Sequence, residues 1–128
     1  MRALLLLMLG GAVGTALRYG LVVGSRVFNP VVEGKPYFPW GTLAVNLLGC
    51  FAVGFLTVMF VGPWPLREEY RVAIVYGVLG GFTTFSSFAI ETAALAPYSR
   101  TQALLYVLLS VVGGIGLAVL GGLLARGR

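Results

Sequence analysis

Apolar residues fill four long stretches of the chain, separated by short segments that contain prolines and most of the charges. The stretches cover residues 3–23, 40–61, 72–95 and 101–125. An α-helix needs roughly 20 residues to cross about 30 Å of hydrocarbon, and each stretch is about that long. The pattern predicts an all-α membrane protein, with four transmembrane helices in a single domain over residues 1–128.

Proline and glycine mark the predicted helix ends. They occur at Asn29-Pro30, Gly34-Lys35-Pro36 and Pro39 after the first stretch, at Gly62-Pro63-Trp64-Pro65 after the second, and at Pro97 after the third. At these positions the missing N–H of proline disrupts no helix. The N-terminus, Arg2 followed by an apolar run, is also similar to a secretory signal. Arg18, Tyr19 and the apolar residues that follow favour a first span that is retained.

The composition supports a membrane environment. Of the 128 residues, 59% are hydrophobic and 10% are charged, and the mean hydropathy is +0.96. A soluble domain carries roughly 25% charged residues, so lipid must cover much of this surface. The chain has no histidine, one cysteine and four acidic residues. The chain is therefore not expected to be an enzyme, because it has too few of the side chains that a metal cage, a catalytic dyad or a disulfide framework needs.

The number and positions of the charged residues indicate which partners the chain could bind and how it could be oriented in the membrane. The net charge is +5, but the basic residues are scattered at the ends of the stretches, so nucleic acid is not an expected partner. Four spans would put Arg2, Arg67, Arg71, Arg126 and Arg128 on one side and Arg18, Arg26, Lys35 and Arg100 on the other. Such a balance gives almost no orientation signal, and insertion in both directions would allow an antiparallel homodimer.

Several glycines recur at the small-xxx-small spacing that allows membrane helices to pack closely. They are Gly10 with Gly14, Gly20 with Gly24, Gly77 with Gly81, and Gly114 with Ala118 and Gly122. Packing alone explains most of them.

The third stretch contains the segment Gly80-Gly81-Phe82-Thr83-Thr84-Phe85-Ser86-Ser87-Phe88. Each glycine weakens a helix by about 1 kcal/mol relative to alanine, and the hydroxyls that follow compete for backbone groups. The sequence predicts a break of the helix within this segment. The centre of the stretch falls at Thr83 and Thr84, so the break would lie near the bilayer midplane. Non-helical backbone at that depth is tolerated where it is buried in protein, lines water or binds an ion. The alternative is an intact helix with its hydroxyls bonded to the preceding turn.

Further polar residues lie inside the predicted spans. Asn46 shares a helix face with Thr42 and Gly49, and it could bond to another helix or donate to a passing anion. Tyr106, Ser110 and Gly114 form a polar stripe at i, i+4 and i+8 on the fourth stretch, for which packing is a sufficient explanation.

Charged and aromatic residues near this segment suggest an anion. Arg18 and Glu91 lie toward span ends, where they could snorkel to the interface, pair with each other or line a vestibule. Phe85 and Phe88, spaced i and i+3, would ordinarily face lipid or core, but their ring edges carry partial positive charge. Ring edges, an amide and hydroxyls without a central carboxylate favour an anion over a cation.

At these residues the chain resembles the Fluc (CrcB) family of fluoride channels over its whole length. Three blocks carry the resemblance: GGAVGTALRYG from Gly10 to Gly20, PWGTLAVNLLGC from Pro39 to Cys50, and GGFTTFSSF from Gly80 to Phe88. The resemblance implies an antiparallel, dual-topology homodimer with two fluoride pores and a structural sodium ion on the dimer axis. It also implies passive export of fluoride across the bacterial inner membrane, which confers fluoride resistance.

By motif position, the resemblance implies that the backbone carbonyls of Gly80 and Thr83 from both protomers hold the sodium. It implies a fluoride pore lined by Asn46, Phe85, Phe88, Ser86, Ser87, Thr42, Tyr106, Ser110 and Glu91, with Arg18 at the vestibule. Ser87 stands where many relatives have threonine, and it keeps the hydroxyl. Gly114 offers no side chain and is left out of the site.

Two other functions remain open from the sequence. A small dual-topology multidrug/proton exchanger also has four short spans, but it needs a membrane-centred carboxylate, for which Glu91 is the candidate. A non-transporting anchor subunit would explain the glycines and leave the polar third stretch unexplained.

Overall fold

The computed structural model describes residues 1–28 and 37–127, and these contain four long helices and no strand. The helices are α1 (Arg2–Ser25), α2 (Trp40–Val61), α3 (Glu68–Leu95) and α4 (Arg100–Arg126). Each is long and apolar enough to cross a bilayer, and the chain is a multi-pass helical membrane protein. The observed bounds lie within a few residues of those predicted. The predicted stop signals at Asn29-Pro30 and Gly34-Lys35-Pro36 lie outside the described residues.

Prolines lie at helix ends where the sequence indicated them, and a hydroxyl caps the start of α4. Pro39 immediately precedes α2, and Pro97 lies in the turn between α3 and α4. Ser99 caps the N-terminus of α4, since its hydroxyl accepts a hydrogen bond of 3.2 Å from the backbone N–H of Gln102. This N-terminal cap satisfies one of the amides that a helix start leaves without a partner.

Glycines allow α1 to lie directly against the first half of α3. A methyl group at Gly14 would overlap the carbonyl oxygen of Val78, and one at Gly77 would lie 2.8 Å from the carbonyl oxygen of Leu7. The predicted faces Gly10/Gly14 and Gly77/Gly81 are therefore confirmed as one helix crossing.

The other predicted glycine faces are confirmed only in part. A methyl group at Gly54 would overlap the carbonyl oxygen of Ala118, so the predicted close contact at Ala118 of α4 is confirmed. One at Gly121 would overlap the carbonyl oxygen of Phe51, whereas one at the predicted Gly122 would make only ordinary contacts. Gly114 faces the Sγ atom of Cys50, which would lie 3.2 Å from an added methyl group. Gly20 and Gly24 have open space within 4 Å. The expectation of close packing at that pair is wrong within this chain.

Two wide helical turns interrupt the regular periodicity. Residues Ala73–Leu79 in α3 and Leu109–Gly113 in α4 are π-helical. Each such turn holds more residues than an α-turn, so side chains beyond it rotate relative to those before it. The expected i, i+4, i+8 stripe of Tyr106, Ser110 and Gly114 therefore does not remain in one straight row.

The core next to the polar segment joins three helices. A cluster of buried residues combines Leu43 of α2, Phe88 and Leu95 of α3, and Ala103 and Tyr106 of α4. Tyr106 is fully buried. This packing fixes the second half of α3 against α2 and α4, and so sets the positions of the polar groups described below.

Candidate functional site

Helical backbone geometry stops at two residues in the middle of α3. Thr83 has φ −81° and ψ 158°, and Thr84 has φ −151° and ψ 117°; both conformations are extended. The helix resumes at Phe85 and continues to Leu95. We call Thr83 and Thr84 the interruption. The Thr83 hydroxyl donates to the carbonyl of Leu79 at 2.9 Å, the back-bonded geometry expected for hydroxyls in an intact helix.

Thr84 restarts the helix as its N-terminal cap, a role that the sequence reasoning missed. Its hydroxyl oxygen accepts a hydrogen bond of 3.2 Å from the backbone N–H of Ser87. The hydroxyls of Ser86 and Ser87 lie 3.2 and 3.1 Å from the same oxygen. A threonine immediately before a helix is a recognised N-terminal cap signal, so the role of Thr84 could have been predicted from the sequence.

Asn46 of α2 is bonded to the interruption through both ends of its side-chain amide. Its Oδ1 accepts from the N–H of Thr84 at 2.8 Å, and its Nδ2 donates to the carbonyl oxygen of Thr84 at 3.0 Å. The interhelical bond expected as one role of Asn46 is therefore present. Thr84 is 7% exposed, so these bonds satisfy backbone groups that water does not reach.

The interruption also diverts the helical donors of the two carbonyls predicted to bind sodium. The N–H of Thr84, four residues after Gly80, donates to Asn46. The N–H of Ser87, four residues after Thr83, donates to the Thr84 hydroxyl. Neither carbonyl receives the bond that a continuous helix would give it. Hard cations prefer such oxygen ligands, so these residues fit a sodium site.

A second polar cluster surrounds Glu91. The hydroxyl of Thr42 donates to Oε1 of Glu91, and the hydroxyl of Tyr106 donates to Oε2, each at 2.7 Å. Both carboxylate oxygens thus have donors from other helices. The pairing of Glu91 with Arg18 that the sequence left open is not formed. Within the described ranges, the ion pair present joins Arg67 to Glu69 at 3.3 Å.

The two phenylalanines differ in environment. Phe85 is 77% exposed, whereas Phe88 is 8% exposed, and their ring centroids are 5.4 Å apart. The Phe88 ring also lies 5.2 Å from that of Tyr106. Phe88 therefore connects the exposed Phe85 to the Glu91 cluster, and it belongs both to the core and to the candidate site.

An open groove of about 490 Å³ runs along these residues. Its lining includes the predicted site residues Asn46, Gly80, Thr83, Phe85, Phe88 and Ser110. The hydroxyl of Ser110 is buried without a hydrogen-bond partner among the described residues. No charged side chain is among the residues described as lining the groove.

The structure brings together most of the predicted site. Thr42, Tyr106 and Glu91 adjoin the groove through the ring of Phe88, and Ser86 and Ser87 surround the Thr84 hydroxyl. Arg18 is the exception. It is partly buried on α1 and takes no part in the hydrogen bonds or ion pairs among the described residues of this site.

A membrane helix that is interrupted beside a groove without charged lining residues among the described ones is typical of ion-handling membrane proteins. The comparison with known proteins narrows this class. Residues 5–122 match the family described as CrcB-like protein, Camphor Resistance (CrcB). Because this match covers most of the chain, the protein is a member of the CrcB family.

Individual relatives match over similar lengths. A protein of Rhizobium meliloti named fluoride-specific ion channel FluC is 41% identical over 96% of this chain and 94% of its own length. A protein of Thermus thermophilus with the same name is 47% identical over 94% of this chain and 93% of its own length. A third, from a Chelativorans species and also named fluoride-specific ion channel FluC, is 41% identical over 96% of this chain.

Proposed function

We propose that this protein is a fluoride-selective ion channel that exports cytoplasmic fluoride passively and so confers fluoride resistance. The observation that carries the proposal is the similarity, over nearly the whole chain, to relatives named fluoride-specific ion channels. The groove at the interruption of α3, mostly apolar with a few polar groups and no charged side chain among its described lining residues, supports it independently. Fluoride and the lipid bilayer are the partners that follow.

The groove offers an anion several weak donors and no fixed negative charge. Ser110 has a buried hydroxyl that lacks a hydrogen-bond partner among the residues that the structure describes, and the ring edges of Phe85 and Phe88 carry partial positive charge. Conduction requires binding that is strong enough to replace water and weak enough to release the ion. Hydroxyls, an amide and ring edges meet both requirements better than an arginine or lysine would.

The pathway proposed here begins at the groove and continues to the second polar cluster. The groove residues are Asn46, Phe85, Phe88 and Ser110, and the adjoining polar residues are Thr42, Ser86, Ser87, Glu91 and Tyr106. Arg18, whose cationic side chain lies apart from this network, is proposed to attract anions at the vestibule.

We further propose that two copies assemble as an antiparallel, dual-topology homodimer with the interruptions near the bilayer midplane. Three exposures support this assembly: the backbone at Gly80, the hydroxyl-bearing Ser86 and the ring of Phe85 all lie on the surface of the single chain. Polar backbone exposed to lipid is costly, so a second copy over this face is favoured. The nearly balanced basic residues permit both orientations.

In such a dimer, the carbonyls of Gly80 and Thr83 from each protomer would hold a structural sodium ion with four oxygens. Their helical donors are diverted, as described above, which leaves the oxygens available as ligands. The bound cation would supply a positive charge between the protomers.

The direction of transport follows from the chemistry of fluoride. Neutral HF enters from acidic surroundings and dissociates in the neutral cytoplasm, where the anion is trapped. In the bacterial inner membrane, the inside-negative potential drives the anion outward by about 2.3 kcal/mol per 100 mV. Neither ATP nor a coupled ion is needed.

Reconstitution into liposomes tests this function. Liposomes are loaded with potassium fluoride or potassium chloride, and efflux is read with an ion-selective electrode before and after adding a potassium ionophore. We expect fluoride efflux that depends on the ionophore, because an uncoupled anion leaves a charge behind, and we expect almost no chloride efflux. Inert liposomes that contain a folded dimer would instead favour an anchor subunit, and equal chloride efflux would refute the selectivity.

The relatives do not support the exchanger alternative, since they are named channels. Glu91, the carboxylate that an exchanger would use, already accepts hydrogen bonds from Thr42 and Tyr106. The test is Glu91→Gln in a proton-driven drug-uptake assay with purified protein. We expect no uptake by either wild type or variant, whereas wild-type uptake abolished by the substitution would establish the exchanger.

A further inference from the structure

One side chain from α2 holds the interruption of α3. Both backbone polar groups of Thr84 bond to the amide of Asn46, at 2.8 and 3.0 Å. Among the described residues, no other side chain bonds to the backbone of Thr83 or Thr84. We propose that Asn46 is a positioning residue that selects the extended conformation of Thr84 over a continuous helix.

In an α-helix, the N–H and C=O of one residue point in opposite directions along the axis, toward partners four residues apart. In an extended residue, the two groups lie on the same side, so one partner can bond to both, as occurs between antiparallel strands. Thr84, at φ −151° and ψ 117°, is close to strand geometry. A single amide can therefore pair with both groups of Thr84 only when this residue is extended.

The membrane setting makes this pairing decisive. In hydrocarbon, each backbone group without a partner is costly, so an interruption requires replacement bonds. Asn46 supplies one donor and one acceptor, the two that Thr84 loses when it leaves the helix. A carboxylate at the same position would offer acceptors only, and a hydroxyl would have to serve both groups from one oxygen, whereas the amide presents separate donor and acceptor atoms. Asparagine at position 46 thus supplies both the donor and the acceptor that the backbone of Thr84 requires.

If the protein conducts fluoride as proposed above, Asn46 has two roles in transport, one as a hydrogen-bond donor to the anion and one in positioning the backbone. Nδ2 carries two hydrogens, and one of them is donated to the Thr84 carbonyl. One hydrogen remains for an anion in the groove. The other role of Asn46 is to keep the carbonyls of Gly80 and Thr83 turned away from helical donors.

Nuclear magnetic resonance of the protein in lipid bilayers tests the proposal without any transport. Thr83-Thr84 is the only pair of consecutive threonines in the sequence. Labelling only threonine with ¹³C and ¹⁵N therefore makes the Thr84 nitrogen unique, because it alone is bonded to a labelled carbonyl carbon. The Cα shift correlated with this nitrogen then distinguishes extended from helical backbone.

We expect an extended Cα shift for Thr84 in the wild type and a move toward helical values in Asn46→Leu, which preserves side-chain size but makes no hydrogen bonds. Cys50→Ala is the matched control, because Cys50 lies one turn further along α2 and lines the same groove. It should leave the Thr84 shift unchanged. An unchanged shift in folded Asn46→Leu, or an equal change in the control, would overturn the proposal.

A measurement on the wild type keeps the test decisive if Asn46→Leu fails to fold. With ¹³C at the asparagine side-chain carbonyl and ¹⁵N in threonine, a measurable ¹³C–¹⁵N dipolar coupling between the Asn46 side chain and the Thr84 nitrogen is expected, because the two are hydrogen-bonded. Its absence would contradict the pairing of Asn46 with Thr84. The flux assay separates this proposal from the channel function. Loss of fluoride efflux in Asn46→Leu with an unchanged Thr84 shift would leave Asn46 as an anion contact alone, whereas a wild type without fluoride efflux would refute only the channel.

Discussion

Glu91 is accommodated inside a membrane-spanning helix by hydroxyl donors from two other helices. Thr42 and Tyr106 each donate to a different carboxylate oxygen at 2.7 Å. A polar group buried without partners would cost several times more than these bonds contribute. The same principle governs Asn46 and Thr84. In both clusters, the polar residues that the sequence placed inside the spans are satisfied by one another.

The phenol of Tyr106 should therefore stabilise the fold. We expect Tyr106→Phe to lower the free energy of unfolding by about 1–3 kcal/mol, since one Glu91 oxygen would lose its donor in a buried site. The midpoint of thermal denaturation in detergent measures this effect. Tyr19→Phe is the control, because Tyr19 is 71% exposed. Equal midpoints for the two variants would show that the Glu91 cluster contributes little to stability.

Phe85 and Phe88 test the proposed anion contacts. Isoleucine keeps the apolar volume of each side chain but lacks the positive ring edge, so Phe85→Ile and Phe88→Ile should reduce fluoride efflux to background while the dimer persists. Efflux and size-exclusion chromatography are measured on the same preparations. Phe51→Ile is the control, since Phe51 stacks on Phe55 at 6.2 Å and is absent from the groove lining. Wild-type efflux in both groove variants would remove these residues from the site.

At the scale of helices, the fold depends on two close crossings, α1 against α3 and α2 against α4. In lipid there is little hydrophobic drive between helices, so their association depends on van der Waals contact between small residues. Gly14, Gly77, Gly54 and Gly121 meet the backbone of the facing helix. An added methyl group at these positions cannot be absorbed by rotating a side chain.

Gly14→Ala should therefore destabilise the protein despite the better helix propensity of alanine. Its methyl group would overlap the Val78 carbonyl, and overpacking of this kind costs about 1–3 kcal/mol. Gly20→Ala is the matched control on the same helix, because Gly20 has open space around its Cα. It should be neutral or stabilising by up to about 1 kcal/mol. The midpoints of thermal denaturation of the two variants measure this difference in stability. A midpoint for Gly14→Ala at or above that of Gly20→Ala would contradict the close crossing of α1 and α3.

The sequence predicted the number of helices and their approximate ends, because apolar length and prolines are local signals. It did not predict the two π-helical turns, which depend on packing between helices. It also missed Thr84 as the residue that links Asn46, Ser86 and Ser87. Composition suggested weakness in this part of α3, but only the spatial approach of α2 identifies which residue becomes extended.

At the scale of the whole molecule, the single chain leaves the groove, with its few polar groups, and the exposed ring of Phe85 on a surface that must contact lipid or protein. An antiparallel second copy would cover both. This assembly requires that the chain insert into the membrane in both directions. The balance of basic residues is compatible with that requirement but does not impose it.

Dual insertion can be tested in intact cells. Cys50 is the only cysteine, so Cys50→Ala provides a background for a single reporter, Arg126→Cys, near the end of α4. We expect an impermeant thiol reagent to label about half of the copies in intact bacteria and the remainder only after permeabilisation, because the two topologies should be equally populated in an antiparallel dimer. The Cys50→Ala background without the reporter is the control. Labelling entirely before or entirely after permeabilisation would contradict dual topology.

The central claim is that the interruption of α3 becomes an ion-handling centre when two antiparallel copies meet. A high-resolution crystal or cryo-EM map of the purified protein with sodium and fluoride tests it most directly. We expect two oppositely oriented protomers whose Gly80–Thr84 segments face each other at the middle of the membrane. A single or parallel-packed protomer with an uninterrupted third helix would contradict it.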